Sequence, residues 1–249
     1  MGKSLCVCIL LLSVCNLLAA EPEGFRLMTY NIHHAEGMDG RLDCERIARV
    51  LLSKSPYCVA VQEIDSATAR VEGLDILQKI AGNMKMFPVF SATMPYLGGK
   101  YGIGLLCKEK PIAVHHVPLP GREEVRMLLI AEFERFCIGC THFSLTQEDR
   151  KLSVERIRGS LKIFQKPFFL MGDMNMQPDD SEADLLSRDF ICLSGLDVKT
   201  FPADSPTDCI DYIWGDKKYK DKYNVLETEV VIDTVVSDHR PVYVRLSVE

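Results

Sequence analysis

Side chains that can bind a metal ion or exchange a proton stand at six points where apolar, strand-like runs end. A charged group beside a buried strand is costly unless it is paired or bound to a metal. Ligand sites gather where strands end, so the six points predict one shared acidic pocket. The residues are Asn31; Glu63; His142; Asp173 with Asn175; Asp211; and Asp238 with His239.

The chemistry of this set is consistent with hydrolysis of a phosphoester. Its carboxylates and amides offer only hard oxygen ligands, which suit Mg²⁺, Mn²⁺ or Ca²⁺ rather than zinc or copper. His142 and His239 add two groups that exchange protons near neutral pH. In such a reaction the metal withdraws charge from the phosphoryl group, a base deprotonates water, and an acid protonates the leaving oxygen.

The composition is that of a globular, mildly acidic protein. Its 249 residues are 47% hydrophobic and 26% charged, which excludes a disordered or fibrous chain. The formal net charge is -6. Non-specific nucleic-acid binders carry a basic excess, because phosphate neutralisation supplies most of their affinity. The charge balance therefore favours a smaller phosphorylated or neutral substrate, although a local basic patch would still permit cleavage of nucleic acid.

Residues 1–20 are predicted to be a secretory signal peptide that is cleaved. A lysine precedes an apolar run over 5–18, and two alanines precede Glu21. The run is shorter than the ~20 residues that a membrane span needs. An uncleaved anchor helix is the less favoured alternative. Attachment of a lipid to Cys15 is also disfavoured, because the valine before it is bulky where a small residue is expected.

Residues 21–249 are predicted to form a single catalytic domain, since no repeat, low-complexity tract or long linker divides them. Many strands mixed with a few helices predict an α+β layered domain whose helices cover the outer faces of a sheet pair. Short connections between consecutive strands favour antiparallel pairing. The predicted strands cover 25–32, 57–61, 86–92, 101–107, 112–117, 125–133, 136–142, 168–171, 210–214, 225–236 and 242–246, and the predicted helices begin after Asp43, span 74–80 with Gly82 as the stop, and begin at Thr146.

Cysteines do not define this fold. Ten are present, and three of them lie within residues 1–20, so the remaining seven cannot pair completely. Cys107 and Cys137 lie in apolar runs and are predicted to pack as small hydrophobic side chains. Cys137 and Cys140 have zinc-knuckle spacing, but an offset of three in a strand points them to opposite faces. No second Cys/His pair follows, so structural zinc is excluded.

Six short motifs resemble the endonuclease/exonuclease/phosphatase superfamily, which includes DNase I-like nucleases, abasic-site endonucleases, inositol polyphosphate 5-phosphatases and neutral sphingomyelinases. Each motif alone is weak, but GD-x-N, a terminal SDH and an upstream QE are together highly specific. The resemblance implies a four-layer α/β-β/α sandwich, with two mainly antiparallel sheets packed face to face and helices outside. In the family's order, the motifs are TYNIHH at 29–34, VQEID at 61–65, THFS at 141–144, GDMN at 172–175, IDYIW at 210–214 and SDHRPV at 237–242.

The resemblance also implies which residues bind the cation. Glu63 matches the principal metal ligand, and Asn31 beside it contacts the metal or the substrate phosphate. Asp238 matches a further cation or orienting ligand. The implied cofactor is Mg²⁺ or Mn²⁺, with Ca²⁺ as an alternative, and the number of ions stays open.

The remaining matches concern the reaction itself. Asp173 and Asn175 resemble the residues that orient the attacking water and stabilise the pentacoordinate phosphorus, and an offset of two puts them on one side of an extended segment. Asp211 and His239 resemble the pair in which a carboxylate fixes an imidazole. His142 matches the second histidine of the DNase- and phosphatase-like branches. His239 is favoured as the general base, with Asp173 as the alternative.

Several other residues have two interpretations. Arg126 either contacts the substrate phosphate, as an arginine in this part of the family can, or forms a surface ion pair after two glutamates. Asp65 either supports Glu63 or begins the next helix. For His33 a solvated loop position and a site position both stay open. Structural roles are predicted for His34, for His115 and His116, which have no acidic neighbour in sequence, and for Trp214, and a solvated hairpin tip is predicted for Lys217, Lys218, Lys220 and Lys222.

Together these observations predict a secreted, divalent-metal-dependent phosphoesterase that hydrolyses a phosphodiester or phosphomonoester by in-line attack of water. Its substrate would be a phosphorylated small molecule, a lipid headgroup or a nucleic acid, and it would act as a monomer without an obligate protein partner. Its location would be extracellular, or the periplasm and cell envelope. A secreted DNase I-type nuclease is the alternative. A non-catalytic binding module on the same fold is disfavoured, because the catalytic set is intact.

Overall fold

The computed structural model describes residues 24–248, which form two six-stranded sheets packed face to face. Residues 1–20, the predicted signal peptide, lie outside the described residues. The strands of the described part are β1 (Phe25–Asn31), β2 (Cys58–Ser66), β3 (Phe87–Tyr96), β4 (Gly99–Cys107), β5 (Ala113–Leu119), β6 (Arg126–Glu132), β7 (Cys137–His142), β8 (Phe168–Asp173), β9 (Phe190–Cys192), β10 (Asp211–Asp216), β11 (Tyr223–Val230) and β12 (Val242–Val248), and its α-helices are α1 (Cys44–Leu52), α2 (Ile76–Met84), α3 (Gln147–Leu161) and α4 (Ser181–Leu186).

Both sheets share one plan, in which a central parallel pair is flanked by antiparallel strands. The strand orders are β11-β12-β1-β2-β4-β3 and β5-β6-β7-β8-β10-β9. The parallel pairs are β1–β2 and β7–β8. Each pair is joined through a helix, α1 or α3, because parallel neighbours need a long crossover connection. The predicted α+β class with two mainly antiparallel sheets is confirmed; the two parallel pairs were not predicted.

Side-chain alternation along the strands builds three apolar layers. Leu27 and Met171 point into the core between the sheets, where they pack with residues of both. Their chain neighbours Met28 and Leu170 point outward and pack under helices α1 and α3 respectively. Helices therefore cover both outer faces, as the four-layer α/β-β/α sandwich requires.

Several boundaries differ from the sequence expectation. Strand β2, predicted over 57–61, continues to Ser66, so Glu63 lies within it. Helix α2 does not stop at Gly82 but runs to Met84, because Lys85 adopts the left-handed conformation that ends it. The strand predicted over 225–236 ends at Val230, and the residues beyond it form a loop leading to the site. Helix α4 and strand β9 were not predicted, since six and three residues are too short to show a period.

The charged residues on one face of α3 predict a solvated face, and this prediction is wrong for Arg150. Arg150 is buried, and its Nε donates to Oε1 of the buried Glu182 at 2.7 Å. Its Nη1 donates to the carbonyl oxygen of Leu145 at 2.8 Å. The guanidinium ties α3 to α4, a contact between elements that helical periodicity cannot reveal.

Removing one partner of this buried pair should destabilise the domain strongly. We expect Glu182→Ala to lower the free energy of unfolding by up to about 3–5 kcal/mol, because it leaves the buried Arg150 charge with only the more distant Asp180 carboxylate, 3.5 Å from its Nη2. Glu155→Ala, an exposed position on the same helix, should stay within about 0.5 kcal/mol of the wild type. Urea denaturation measures both, and equal effects of the two substitutions would contradict the buried pair.

The seven cysteines of residues 24–248 are all free thiols. Cys107 and Cys137 are fully buried, as predicted. Cys137 packs in the outer layer and Cys140 between the sheets, so the expected opposite orientation is confirmed. None of the helices among these residues is long and apolar enough to span a membrane.

Candidate active site

Strand register brings the predicted residues of both sheets to one end of the sandwich. Asn31, His142 and Asp173 are the last residues of β1, β7 and β8. Asp173 lies opposite His142 on one side and opposite Asp211, the first residue of β10, on the other. The loop before β12 supplies His239. Four carboxylate or imidazole groups distant in sequence therefore meet because of strand pairing.

The predicted contact between Asp211 and His239 is present. Nδ1 of His239 lies 2.9 Å from Oδ2 of Asp211, and both residues are buried. The Oγ1 of Thr200 donates a hydrogen bond to the same Oδ2. On the other side of the ring, Nε2 of His239 lies 3.7 Å from Oδ2 of Asp173. The imidazole is thus held by one carboxylate and faces a second.

The side chain of Asn31 connects three other residues of the site. Its Nδ2 donates to Oε1 of Glu63 at 3.0 Å and to Oδ2 of Asp173 at 3.1 Å, and lies 3.5 Å from Nε2 of His239. The carbonyl oxygen of Asn31 accepts a 2.8 Å hydrogen bond from Oγ of Ser237, which ties the His239 loop to β1. One amide therefore sets the spacing of two carboxylates and the imidazole.

Left-handed backbone shapes the site at Glu63 and Asn175, with φ of 57° and 45°. Glu63 stands at an irregularity of the β2–β4 register between Val61 and Ile64, and such bulges re-aim side chains near active sites. Non-glycine residues in this region cost about 1–3 kcal/mol each and cluster at functional sites.

The predicted extended segment at Asp173 and Asn175 is wrong. The chain turns after Asp173, whose Oδ1 accepts the backbone N–H of Asn175 at 3.0 Å. The side-chain Nδ2 of Asn175 donates to the carbonyl oxygen of Phe143 at 3.0 Å. A local side-chain to backbone bond of this kind competes with the strand, as short polar residues often do.

Burial and crowding of carboxylates shift the protonation of the site. Burial, reinforced by Asp211, raises the pKa of Asp173 to about 7. Burial lowers the pKa of His239, but Asp211, Asp173 and Asp238 outweigh it and raise the pKa to about 10. Burial, then Arg126 and His239, lower the pKa of His142 well below its usual value. The site thus holds excess negative charge, with His142 neutral.

These residues fit a hard divalent cation. Ligand atoms of Asp173, Asp211 and His239 lie within 4.8 Å of one another. Oδ1 of Asp211 is buried and has no hydrogen-bond partner in the described chain, which is costly for a carboxylate oxygen. Glu63 and Asp173 share the Asn31 amide, so their oxygens face the same space. A bound cation would satisfy the orphan oxygen and offset the charge.

Asp238 borders this cluster. Its Oδ1 lies 3.2 Å from Oγ of Ser237, whose proton is donated at 2.8 Å to the carbonyl oxygen of Asn31, and its side chain is half-buried. Its charge helps to raise the pKa of His239. The structure therefore places Asp238 beside the site, although the three converging ligand groups do not include it.

Arg126 is buried at the start of β6 and forms an ion pair with Glu124, so the predicted pairing with a preceding glutamate is present but does not lie at the surface. Only 3% of the residue is exposed. Its Nη2 lies 3.3 Å from Oε2 of Glu124, while Nε and Nη1 are buried without a partner in the described chain. The guanidinium therefore has hydrogen-bonding capacity left for a ligand or an ordered water.

The structure also decides between the alternative interpretations of several residues outside the carboxylate and histidine cluster. Asp65 neither contacts Glu63 nor begins a helix; it accepts two hydrogen bonds from Arg70, at 2.7 and 2.8 Å. His115 has an acidic neighbour after all, since cross-strand Glu132 lies 3.2 Å from its Nε2. Structural roles hold for His116, bonded to Ser91 at 2.8 Å, for the buried His34, whose Nε2 lies 3.4 Å from Glu36, and for the buried Trp214.

Two further expectations concern loops. His33 is half-buried, and its Nδ1 lies 3.1 Å from the carbonyl oxygen of Glu36, so a freely solvated ring is wrong. Its backbone N–H donates to Oδ1 of Asn31 at 3.2 Å, which helps to fix the orientation of the Asn31 amide. The lysines of the 3₁₀ helix Lys217–Lys222 are mostly exposed but do not form a hairpin tip, because β10 and β11 belong to different sheets.

Sequence analysis missed two residues that position the Asp211–His239 pair, which we call the dyad. Thr200 bonds Asp211, and the ring of Phe201 packs on His239 with centroids 4.8 Å apart. The carbonyl oxygen of Thr200 also accepts the backbone N–H of Arg240 at 2.8 Å. Thr200 and Phe201 lie in an irregular stretch between strands, where no periodic pattern distinguishes them from their neighbours.

The site and the fold together define a phosphoesterase-type architecture, and the sequence match gives the family. The profile of the Endonuclease/Exonuclease/phosphatase family matches residues 28–239, so this chain belongs to that family. No curated protein matches the chain.

Solved structures share the fold at low sequence identity. An endonuclease/exonuclease/phosphatase from Bacteroides vulgatus is 17% identical with a TM-score of 0.74, over 90% of this chain and 99% of that one. The mannosyl-6-phosphatase Bt3783 of Bacteroides thetaiotaomicron is 16% identical with a TM-score of 0.70, over 89% and 99%. The human Nocturnin catalytic domain with bound sulfate is 17% identical with a TM-score of 0.66, over 91% and 95%. These likenesses support the four-layer fold.

Proposed function

We propose that this protein is a divalent-metal-dependent phosphoesterase that hydrolyses a phosphorylated substrate by in-line attack of water. The observation that carries the proposal is the buried cluster of Asp173, Asp211 and His239, in which Oδ1 of Asp211 has no hydrogen-bond partner in the described chain. Membership of the Endonuclease/Exonuclease/phosphatase family supports it. The solved mannosyl-6-phosphatase shows that the fold is used on a phosphorylated sugar.

His239 is assigned as the general base once a bound cation offsets the carboxylate charge that raises its pKa to about 10 in the metal-free protein. Asp211 holds the Nδ1 side of the imidazole, which leaves Nε2 to take a proton from water. Asp173 lies 3.7 Å from this Nε2, so it orients the water, and it is the alternative base. Thr200 and Phe201 restrict the carboxylate and the ring.

Glu63, Asp173 and Asn31 are assigned to hold the cation, with Asp238 beside them and Oδ1 of Asp211, which has no partner in the described chain, as a further ligand. When bound, Mg²⁺ or Mn²⁺ would withdraw charge from the phosphoryl group and offset the carboxylates around His239. His142 is neutral and lies 3.6 Å from Asp173, so it can donate a hydrogen bond to a phosphoryl oxygen. Arg126 is assigned to bind the phosphate.

Turnover should depend on a hard divalent cation. Treatment with a chelator should reduce hydrolysis to the background rate, because the carboxylate cluster alone repels an anionic substrate. Addition of Mg²⁺ or Mn²⁺ should restore it. The assay is a panel of a phosphomonoester, a phosphodiester, sphingomyelin and DNA, followed with purified protein. Full activity after metal stripping would contradict the proposal.

The same panel separates the alternative function. A secreted DNase I-type nuclease would degrade DNA with strong salt dependence, because binding to a polymer of phosphates releases counterions. The formal net charge of -6 favours a small substrate instead. A binding module without catalysis would turn over none of the substrates with any metal.

We also propose that the protein is exported and acts as a monomer, with the mature chain beginning near Glu21. The apolar run over 5–18 followed by two alanines supports this. N-terminal sequencing of protein from the native host should find a start near Glu21. An intact Met1 in membrane fractions would show an anchor instead, and a lipid on Cys15 would show a lipoprotein.

A further inference from the structure

Three thiols lie in the core between the two sheets, those of Cys58, Cys107 and Cys140. Cys58 is the first residue of β2 and Cys107 is the last residue of β4, and the two lie directly opposite each other in this antiparallel pair of strands. Their Sγ atoms are 3.5 Å apart, and both side chains are fully buried. Cys58 and Cys107 are therefore an aligned pair of thiols that the proposed reaction does not use.

The backbone around this pair has the geometry that a disulfide needs. Opposite residues of an antiparallel pair alternate between hydrogen-bonded and non-hydrogen-bonded positions. The backbone N–H of Lys108 donates to the carbonyl oxygen of Tyr57 at 2.8 Å, so the adjacent position, Cys58 opposite Cys107, is non-hydrogen-bonded. Cα atoms at such a position are about 4.5 Å apart, which lies within the range of about 4.4–6.8 Å that a disulfide spans. Rotation of the two side chains is then enough to close the bond.

The third thiol of this core layer has other partners. Nε2 of Gln62 donates to Sγ of Cys140 at 3.5 Å, and this Sγ donates to the carbonyl oxygen of Val61 at 3.7 Å. Cys140 also belongs to β7 of the other sheet, so a bond from it would join two sheets rather than two neighbouring strands. The geometry therefore selects Cys58 and Cys107 as the pair.

We propose that Cys58 and Cys107 form an intramolecular disulfide when the chain folds under oxidising conditions, which joins the start of β2 to the end of β4. This inference goes beyond the proposed function and does not depend on it. The oxidant is a small-molecule disulfide. One cysteine thiolate attacks it and releases a first thiol, and the other cysteine attacks the mixed disulfide and releases a second. Two electrons and two protons thus pass from the protein to the oxidant, which is reduced to two thiols.

Burial determines when this bond can form. Neither thiol is accessible in the folded chain. Burial also raises the pKa of Cys58 well above its usual value, so the folded, reduced protein presents almost no thiolate to an oxidant. The exchange therefore takes place before the two sheets close over the pair. Oxidising conditions of this kind are those that the proposed export would supply, since disulfides form and persist outside the cytosol.

The bond should stabilise the protein without reshaping the candidate active site. It closes a loop between residues 49 positions apart in sequence, and a disulfide stabilises by restricting the unfolded chain, more so for a long loop. Glu63 lies further along β2, within the irregularity of the β2–β4 register between Val61 and Ile64. We therefore expect the bridged protein to have an equilibrium constant for unfolding lower by about 10²-fold than the reduced protein.

The test refolds the full mature chain from denaturant in a mixture of oxidised and reduced glutathione. The product is unfolded again without reductant, alkylated and analysed by mass spectrometry. Of the seven thiols, we expect five to be alkylated and Cys58 to be joined to Cys107. Cys140→Ala is the matched control, because it removes the third thiol of the same core layer and should leave the bond in place. Cys107→Ala should keep every remaining thiol reduced.

Stability and rate give two further readouts. Urea denaturation of the bridged and the reduced protein should show the expected difference in unfolding. Oxidised glutathione added to the folded, reduced protein should form the bond at least about tenfold more slowly than in the refolding chain, because the thiols are buried. If Cys107→Ala fails to fold, Cys58→Ala replaces it.

Three outcomes would overturn the inference: seven alkylated thiols after oxidative refolding, a bond that involves Cys140, or a bridged protein no more stable than the reduced one. None of these measurements uses turnover, so each leaves the phosphoesterase proposal standing. Failure of metal-dependent hydrolysis would conversely leave the disulfide inference standing.

Discussion

His239→Ala should lower turnover of the phosphoester substrate by about 10²–10⁴-fold, the usual contribution of a general base. The imidazole is held by Asp211 at 2.9 Å, and its free Nε2 faces Asp173. Loss of the ring removes the proton acceptor but none of the carboxylate ligands. We therefore expect kcat to fall while the affinity for Mg²⁺ changes little, measured by steady-state kinetics and metal titration.

The double variant distinguishes a dyad from two independent groups. Asp211→Asn should cost about as much as His239→Ala, because an amide can present the wrong partner to the ring. Groups that act as a unit give non-additive losses, so the double variant should be little worse than either single variant. His116→Ala, which removes an imidazole bonded to Ser91 on another strand, is the matched control and should keep full turnover. Strictly multiplicative losses would refute the dyad and make Asp173 the base.

The strands and the layered α+β class were predictable because apolar runs and strand-end polar residues are local signals, whereas the sandwich was implied by the family resemblance and the two parallel pairs were not predicted. Asn31, Asp173 and Asp211 each end or begin a strand, as the sequence indicates. Their meeting depends on register, which pairs Asp173 directly with Asp211. Motif order makes that meeting plausible, but only the folded chain shows that a single amide, Asn31, spaces the carboxylates.

What the sequence could not predict depends on tertiary contacts. Thr200 and Phe201 hold Asp211 and His239 from an irregular stretch, where no period singles them out. Arg150 was assigned to a solvated helix face because its burial requires α4, a helix of six residues too short to predict. In both cases the decisive partner comes from a segment without regular local patterning.

The left-handed backbone at Asn175 also depends on contacts that the sequence pattern does not reveal. A spacing of two predicts that Asp173 and Asn175 lie on one side of an extended segment. Instead, the Asp173 carboxylate accepts a hydrogen bond from the backbone N–H of Asn175, and the chain turns there. The choice between strand and turn depends on this one hydrogen bond and on the contact of Asn175 with Phe143, more than 30 residues away in sequence. Neither contact has a signature in the order of residue types.

Asp173→Asn should abolish most activity and yet stabilise the metal-free protein. The carboxylate faces His239, His142 and Asn31, so its loss should reduce turnover by at least about 10²-fold. In the folded protein the pKa of Asp173 is raised from 3.8 to about 7 by burial and by Asp211. The folded state therefore binds a proton more tightly than the unfolded state, and stability falls as the pH rises from about 4 through 7. The neutral amide removes this penalty.

The stability gain of Asp173→Asn should accordingly depend on pH. With chelator present, the variant and the wild type should unfold with similar free energies below about pH 3, under both pKa values, where the wild-type carboxyl is protonated in both states. At pH 8 the variant should be more stable by an amount on the order of 1–4 kcal/mol, since each pKa unit corresponds to about 1.4 kcal/mol. Asp184→Asn, an exposed carboxylate on α4, should show no such growth of the difference. Urea denaturation at several pH values measures the gap. A difference in free energy of unfolding that stays constant with pH, or a variant less stable than the wild type at pH 8, would show that the folded protein does not disfavour the ionised Asp173 carboxylate. A growing gap together with lost turnover would identify Asp173 as a residue whose charge opposes folding in the metal-free protein and serves catalysis once a cation is bound.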